Sequence, residues 1–215
     1  ARGKSAMNLI DLDTDEELSA GVATDEFDDD ECVTMVTRQG YVKRACCDQF
    51  ENSLSTGIRA AKREAGDGLI DVDVTDGTGD LVIASEQGMT IRFDESEVSE
   101  MGRSARGVHG IKLSGDDRVA GMVATTDEDQ RSLLTVTKHG FGKRTQLSEY
   151  RPQSRYGQGL VDIKTDDRNG RVSTAKAVTD DDDLVIMSEE GQIMRIRSGD
   201  ISKVGRNTKG VTIME

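Results

Sequence analysis

Apolar residues in this chain come in short runs, each ended by a polar turn with a glycine at its close. Val33-Thr34-Met35-Val36, Leu81-Val82-Ile83, Leu133-Leu134-Thr135-Val136 and Leu184-Val185-Ile186-Met187 precede Gly40, Gly88, Gly140 and Gly191. These glycines stand 48, 52 and 51 residues apart. Four positions after each comes an arginine (Arg44, Arg92, Arg144, Arg195), and ten positions after comes a large apolar side chain (Phe50, Val98, Tyr150, Ile201). A second glycine follows at Gly57, Gly107, Gly159 and Gly210. A shared ruler of this kind, with a period near fifty, marks a repeat array.

Within a unit, residues 35–37 and 41–44 flank Arg38-Gln39-Gly40 and predict a β-hairpin whose glycine takes a positive φ. The same shape recurs at 83–92, 136–144 and 186–195. The polar stretch behind each hairpin carries one apolar peg, at the tenth position, which should tuck a short turn onto the sheet. A third strand is expected at Gly57-Ile58, Gly107-Val108, Gly159-Leu160 and Gly210-Val211. A fourth is expected at 69–74, 119–123 and 172–178. Arg2-Gly3 and the stretch 18–22 read as the tail of an earlier repeat. The units are therefore 1–30 (partial), 31–77, 78–127, 128–179 and 180–215 (partial), a single domain of about sixteen strands. Four-stranded antiparallel units of this length, repeated radially, predict an all-β, propeller-like fold with about four blades. The runs are too short and too β-branched for a helical solenoid.

Composition adds limits. Apolar residues make up 34% of the 215, with 23 glycines and no Trp, which allows a thin core. No apolar run approaches the ~18 residues of a membrane span and no signal-peptide pattern opens the chain, so a soluble fragment or processed piece is expected. Cys32, Cys46 and Cys47 have no zinc-type spacing, and the adjacent pair is poorly placed to bridge, which predicts neither a disulfide framework nor a metal site. The net charge is −13, from 41 acidic and 28 basic residues. Asp outnumbers Glu and Arg outnumbers Lys, with clusters at Asp28-Asp29-Asp30 and Asp180-Asp181-Asp182-Asp183. That style resembles proteins of salt-loving organisms, where a Debye length of ~3 Å leaves local contacts dominant over the distant field. The alternative is an acidic surface for a protein partner.

The tracts Gly140-Phe141-Gly142-Lys143-Arg144-Thr145, Met101-Gly102-Arg103-Ser104-Ala105-Arg106-Gly107-Val108 and Val204-Gly205-Arg206-Asn207-Thr208-Lys209-Gly210-Val211 resemble the C-terminal domain family of the DNA gyrase A protein, here of a halophilic archaeal type. The resemblance covers essentially the whole chain. It implies a β-pinwheel, a propeller-like ring whose blades exchange strands, with about four of the usual six blades seen. It also implies double-stranded DNA wrapped on a basic outer rim to direct negative supercoiling. The partners would be the gyrase A core and gyrase B subunit of an ATP-dependent type II topoisomerase, in the cytoplasm and on the chromosome. No cofactor would bind this part of the protein. The family's glutamine-arginine-glycine-rich box is absent, and the segment 153–159 is a generic linker. The corresponding domain of topoisomerase IV and a protein-binding propeller are the alternative readings.

The arginines at the fourth position are the recurrent polar residues. A guanidinium fork binds phosphate bidentately, so Arg44, Arg92, Arg144 and Arg195, with Lys43 and Lys143 beside two of them, are candidate rim contacts to DNA. The competing role is pairing within the blade, with carboxylates such as Asp94 or Glu149. Around the second glycine, Arg2, Arg59, Lys62, Arg63, Arg103, Arg106, Arg155, Arg206 and Lys209 are further candidates, with Arg59, Arg106, Arg206 and Lys209 foremost. Tyr41 and Tyr150 occupy packing positions, and Tyr156 lies in a loop with no evident partner. His109 and His139 occupy unrelated repeat positions, so no catalytic constellation and no cofactor site can be assembled.

Overall fold

The computed structural model describes residues 19–22, 30–51, 57–126 and 128–214. The expected repeat tail at Arg2, Gly3 and Leu18, and the acidic pair Asp28-Asp29, lie outside the described residues. Four hairpins follow the glycine ruler: β1 (Cys32–Thr37) with β2 (Tyr41–Cys46), β4 (Asp80–Ser85) with β5 (Met89–Asp94), β8 (Ser132–Thr137) with β9 (Phe141–Gln146), and β12 (Asp183–Met187) with β13 (Ile193–Arg197). Each turn glycine has φ between +74° and +84°. Its N–H donates to the carbonyl three residues back, at 2.9 Å for Gly40 and 3.0 Å for Gly191. This backbone is strained for any residue with a Cβ, which is why the ruler is set by glycine.

Two more strands complete three of the hairpins. β3 (Leu69–Thr75), β7 (Val119–Thr125) and β11 (Val172–Val178) pair with the first strand of their own repeat's hairpin. Each of these three pairings shifts register by one bulge beside the turn, which sharpens the local twist. The opposite edge is filled from the following repeat: β6 (Val108–His109) pairs with β2, β10 (Leu160–Val161) with β5, and β14 (Val211–Thr212) with β9. The sheets therefore run β3-β1-β2-β6, β7-β4-β5-β10 and β11-β8-β9-β14. Each blade is closed by its neighbour's chain. Among the described residues the fourth hairpin pairs with nothing further and remains a two-stranded sheet. The expected strand at Gly57-Ile58 is irregular.

At the inner edges of the sheets, β7 packs against both β3 and β11. Asp71 on β3 fastens them, accepting from the Met122 backbone N–H at 3.1 Å and from Lys176 Nζ at 2.8 Å. β6, β10 and β14 consequently line the circumference. The core lies between adjacent sheets. Val36, Val42, Leu81, Ile83, Ile91, Phe93 and Val98 form one cluster, and Val82, Leu133, Leu147 and Tyr150 contribute to another. Of the four expected pegs, Val98, Tyr150 and Ile201 are at most 2% exposed, whereas Phe50 is half-buried. Each such apolar side chain contributes roughly 1.5–3 kcal/mol on burial.

Candidate nucleic-acid interface

Five of the six candidate cations at the third and fourth positions after the turn glycine are buried away from the rim. Lys43, Arg44, Arg92, Lys143 and Arg144 are all at most 5% exposed. They lie on β2, β5 and β9, with a sheet strand on either side; Lys43, Arg44, Lys143 and Arg144 fasten one blade to the next, and Arg92 ties the two strands of its own hairpin. Arg44 donates through Nη1 to the Val98 carbonyl at 3.3 Å, and its own carbonyl accepts from Met101 N–H at 2.9 Å. Arg144 repeats the pattern one blade pair on. Its Nε donates to the Ile201 carbonyl at 2.9 Å, Nη2 donates to the Gly199 carbonyl at 3.2 Å, and Nη1 pairs with Asp180. Arg92 donates through Nε to Asp80 at 2.5 Å. A guanidinium suits this work because its fixed fork satisfies several carbonyls at once. The expectation that these side chains meet phosphate is therefore corrected for five of the six.

The buried lysines do related work by two routes. Lys143 Nζ forms an ion pair with Asp162 at 2.8 Å and donates to Thr145 Oγ1 at 2.8 Å. Asp162 also accepts from Tyr150 Oη at 2.5 Å and Thr135 Oγ1 at 2.6 Å, which satisfies a fully buried carboxylate. Burial and that carboxylate push the Tyr150 phenol well above its usual range. Lys43 has carbonyl partners instead: Ala60 at 2.6 Å, Arg103 at 2.7 Å and Ala105 at 3.2 Å. Burial, then the charge of Arg103, lowers its pKa. Lys43 through Arg103 and Ala105, and Lys143 through a further bond to the Gly205 carbonyl at 3.2 Å, pin the tract that carries the second glycine of the next repeat.

Arg195 is the exception. Its side chain is 72% exposed and pairs with Asp183 at 2.5 Å, across the hairpin as Arg92 pairs with Asp80. The aspartates 180 and 183 of the acidic run are thus counter-ions of Arg144 and Arg195. Hydrogen bonds from these arginines hold both carboxyls below their usual pKa.

The tracts around the second glycine do occupy the circumference. Arg59, Arg106 and Lys209 are exposed and Arg206 is half-buried. Arg106 pairs with Glu64 and lies over the Tyr41 ring at 4.4 Å, while Lys209 pairs with Asp166. Counting from the second glycine exposes a regularity. Arg103, Arg155 and Arg206 stand four residues before Gly107, Gly159 and Gly210. Lys62, Lys112 and Lys164 stand five residues after Gly57, Gly107 and Gly159. The three lysines are exposed and have no ion-pair partner among the described residues. Lys112 and Lys164 were missed in reading the sequence, although the same ruler marks them.

Other chemistry is sparse among the described residues. Cys32 and Cys46 face one another across β1 and β2, and their sulfurs and a Glu100 carboxylate oxygen lie within 4.8 Å of one another. Arg44 Nη2 sits 3.7 Å from Cys32 Sγ and 4.0 Å from Glu100, so a guanidinium already supplies positive charge there. The Cys46 thiol donates to Glu100 at 3.0 Å and its pKa is pushed up to about 12, chiefly by that hydrogen bond. No described helix is long and apolar enough to cross a membrane.

Comparison with known proteins settles the ancestry of this array. The family described as DNA gyrase C-terminal domain, beta-propeller, matches residues 33–76, 79–126, 131–179 and 182–215. The chain belongs to the DNA gyrase C-terminal domain family. Over 219 residues it is 52% identical to the DNA gyrase A protein of Haloquadratum walsbyi, covering all of this chain and 26% of that protein. Over 214 residues it is 40% identical to the DNA gyrase A protein of Salmonella typhimurium, covering 24% of that protein. The chain thus spans about a quarter of the curated relatives it matches. A crystal structure of the C-terminal domain of DNA topoisomerase IV superposes with a TM-score of 0.89 at 27% identity, over 99% of this chain and 66% of that one. A DNA gyrase A C-terminal domain gives 0.88 at 24% identity, over 100% and 72%, a likeness of fold.

Proposed function

We propose that this domain binds duplex DNA along its circumference and bends it, as the wrapping module of a gyrase A protein. It carries no reaction of its own. The observation that carries this reading is the recurrence, on the outermost tract of successive blades, of an arginine before the second glycine and an exposed lysine after it. Contacts to phosphate at such intervals follow a curved backbone without reading base sequence. Bending tens of base pairs through ~40–90° costs on the order of 1–6 kcal/mol, so several of these contacts must act together. The acidic remainder of the surface is consistent with this at high ionic strength, where distant charges are screened and touching ones are not. Through the longer protein, the partners would be the gyrase A core and gyrase B in an ATP-dependent topoisomerase, on the chromosome in the cytoplasm. The 52% relative, itself a gyrase A protein by name, favours gyrase over topoisomerase IV.

The test replaces Lys62, Lys112, Lys164, Arg103, Arg155 and Arg206 with glutamine together, and measures retardation of linear duplex alongside linking-number change in a relaxed circle. Loss of both, with the β circular-dichroism signal retained, is the expected result. A wild-type domain that retards no duplex at any salt concentration where it is folded would instead favour a protein-binding propeller.

A further inference from the structure

The circumference carries one group that phosphate binding does not use. Tyr41 on β2 and His109 on β6 are directly opposed across the seam where the first blade accepts its neighbour's strand. Their rings stack at 4.2 Å with an interplanar angle of 30°. Tyr156, from the following repeat, stacks on His109 at 4.8 Å and 29°. With the Arg106 guanidinium over Tyr41, four planar groups form one continuous stack. Tyr41 is buried, whereas Tyr156 is 48% exposed and its hydroxyl has no hydrogen-bond partner among the described residues.

The backbone does not require a tyrosine there. Tyr156 stands three residues before the second glycine and has φ +64°, a conformation that favours Asn and disfavours bulky side chains. The same position of the next repeat holds Asn207 at φ +62°. Both residues use their N–H in the same way: Tyr156 donates to the Gly110 carbonyl at 2.9 Å and Asn207 to the Asp162 carbonyl at 2.6 Å. A ring has therefore been placed on a turn that serves as well without one, and left half uncovered. Strain of this kind points to a use for the side chain.

The surroundings indicate what the ring would take. Arg155 donates to the His109 carbonyl at 2.5 Å, and Lys112, whose N–H donates to the Gly157 carbonyl at 2.9 Å, is exposed beside it. The nearby carboxylates are engaged: Glu97 accepts from the Arg155 N–H at 3.0 Å and Glu64 pairs with Arg106. An exposed aromatic face flanked by cations is the combination that holds a nucleobase and its phosphates.

We propose that Tyr156 is a stacking platform for a nucleobase displaced from the duplex stack, so that this sector of the rim prefers DNA carrying an unstacked base to a continuous duplex. This rests on the DNA-binding reading above and deepens it. A bent duplex opens at flexible steps, and a ring that receives the opened base would fix where the bend falls.

The test compares an intact duplex with one carrying a single-nucleotide gap opposite 2-aminopurine, bound to wild type, Tyr156→Phe and Tyr156→Asn. Wild type and Tyr156→Phe should bind the gapped duplex about tenfold more tightly than the intact one and quench the 2-aminopurine emission. Tyr156→Asn should lose that preference and the quenching, keep intact-duplex affinity within about twofold, and melt no lower than wild type, because Asn suits the turn. Equal affinity of wild type for the two duplexes, or a preference that survives in Tyr156→Asn, would overturn the platform and leave the rim reading standing. Unchanged 2-aminopurine emission in the wild-type complex would overturn it without recourse to any variant. No binding of wild type to intact duplex would overturn the rim reading itself.

Discussion

The third blade and the fourth hairpin follow one ruler and end in opposite environments. In β8–β9, Leu134 and Val136 are buried and the Arg144 side chain is 4% exposed. In β12–β13, Val185, Met187 and Ile193 are 63–66% exposed and Arg195 is 72% exposed. A Cβ on Gly140 would collide with the Met214 carbonyl of the incoming neighbour, whereas one on Gly191 would meet nothing within 4 Å among the described residues. Where β9 carries Lys143, β13 carries Met194. In a strand-exchanging array, burial is conferred by the adjacent repeats. A side chain that looks like a surface cation in one hairpin is a fastener in the next.

Substitutions that remove the fasteners should separate the two regions. Lys143→Met gives the third blade the residue of the fourth hairpin and leaves Asp162 a buried, uncompensated charge, at about 3–5 kcal/mol in urea unfolding. Arg144→Gln strands the Ile201 and Gly199 carbonyls and should cost about 2 kcal/mol. Arg195→Gln, on an exposed pair, should stay within about 0.5 kcal/mol. Equal losses at 144 and 195 would show that the adjacent repeat does not set the environment of this position. The glycines should differ in the same direction: Gly191→Ala bears only the left-handed backbone penalty of about 1–2 kcal/mol, while Gly140→Ala adds a backbone collision of about 1–3 kcal/mol.

A smaller effect separates the His109 seam from both. Burial, then Arg106 and Arg155, lowers the His109 pKa below the usual 6.5. The unfolded chain therefore takes up a proton before the folded one, and stability should fall as pH drops from about 6.5 toward the folded value. His109→Gln should flatten that part of the pH profile. An unchanged slope would show that other groups set it.

Much of the fold was legible because glycines, apolar runs and pegs report local backbone requirements. The hairpins, the buried Val98, Tyr150 and Ile201, and the strands at 69–75, 119–125 and 172–178 fall where the ruler puts them. Strand exchange entered only through family resemblance, since the spacing of Val108 or Leu160 gives a strand's position and not its partner. The site was read less well. A repeated arginine fits a phosphate and a ring of carbonyls equally, so recurrence could not decide between them. One signal was available: Asp80 and Asp183 stand eight residues before the turn glycine, across the hairpin from Arg92 and Arg195, and pair with them. The exposed lysines at the fifth position needed only the ruler read from its second mark.

The cations divide into buried fasteners and exposed side chains on the outermost tracts. The dependence of duplex affinity on salt tells the two groups apart, because each phosphate contact adds roughly 0.9 to the slope of log K against log salt. Replacing Lys62, Lys112 and Lys164 together with glutamine should lower that slope by about 2–3 while unfolding stability is unchanged. A slope equal to that of wild type would show that these lysines do not meet phosphate.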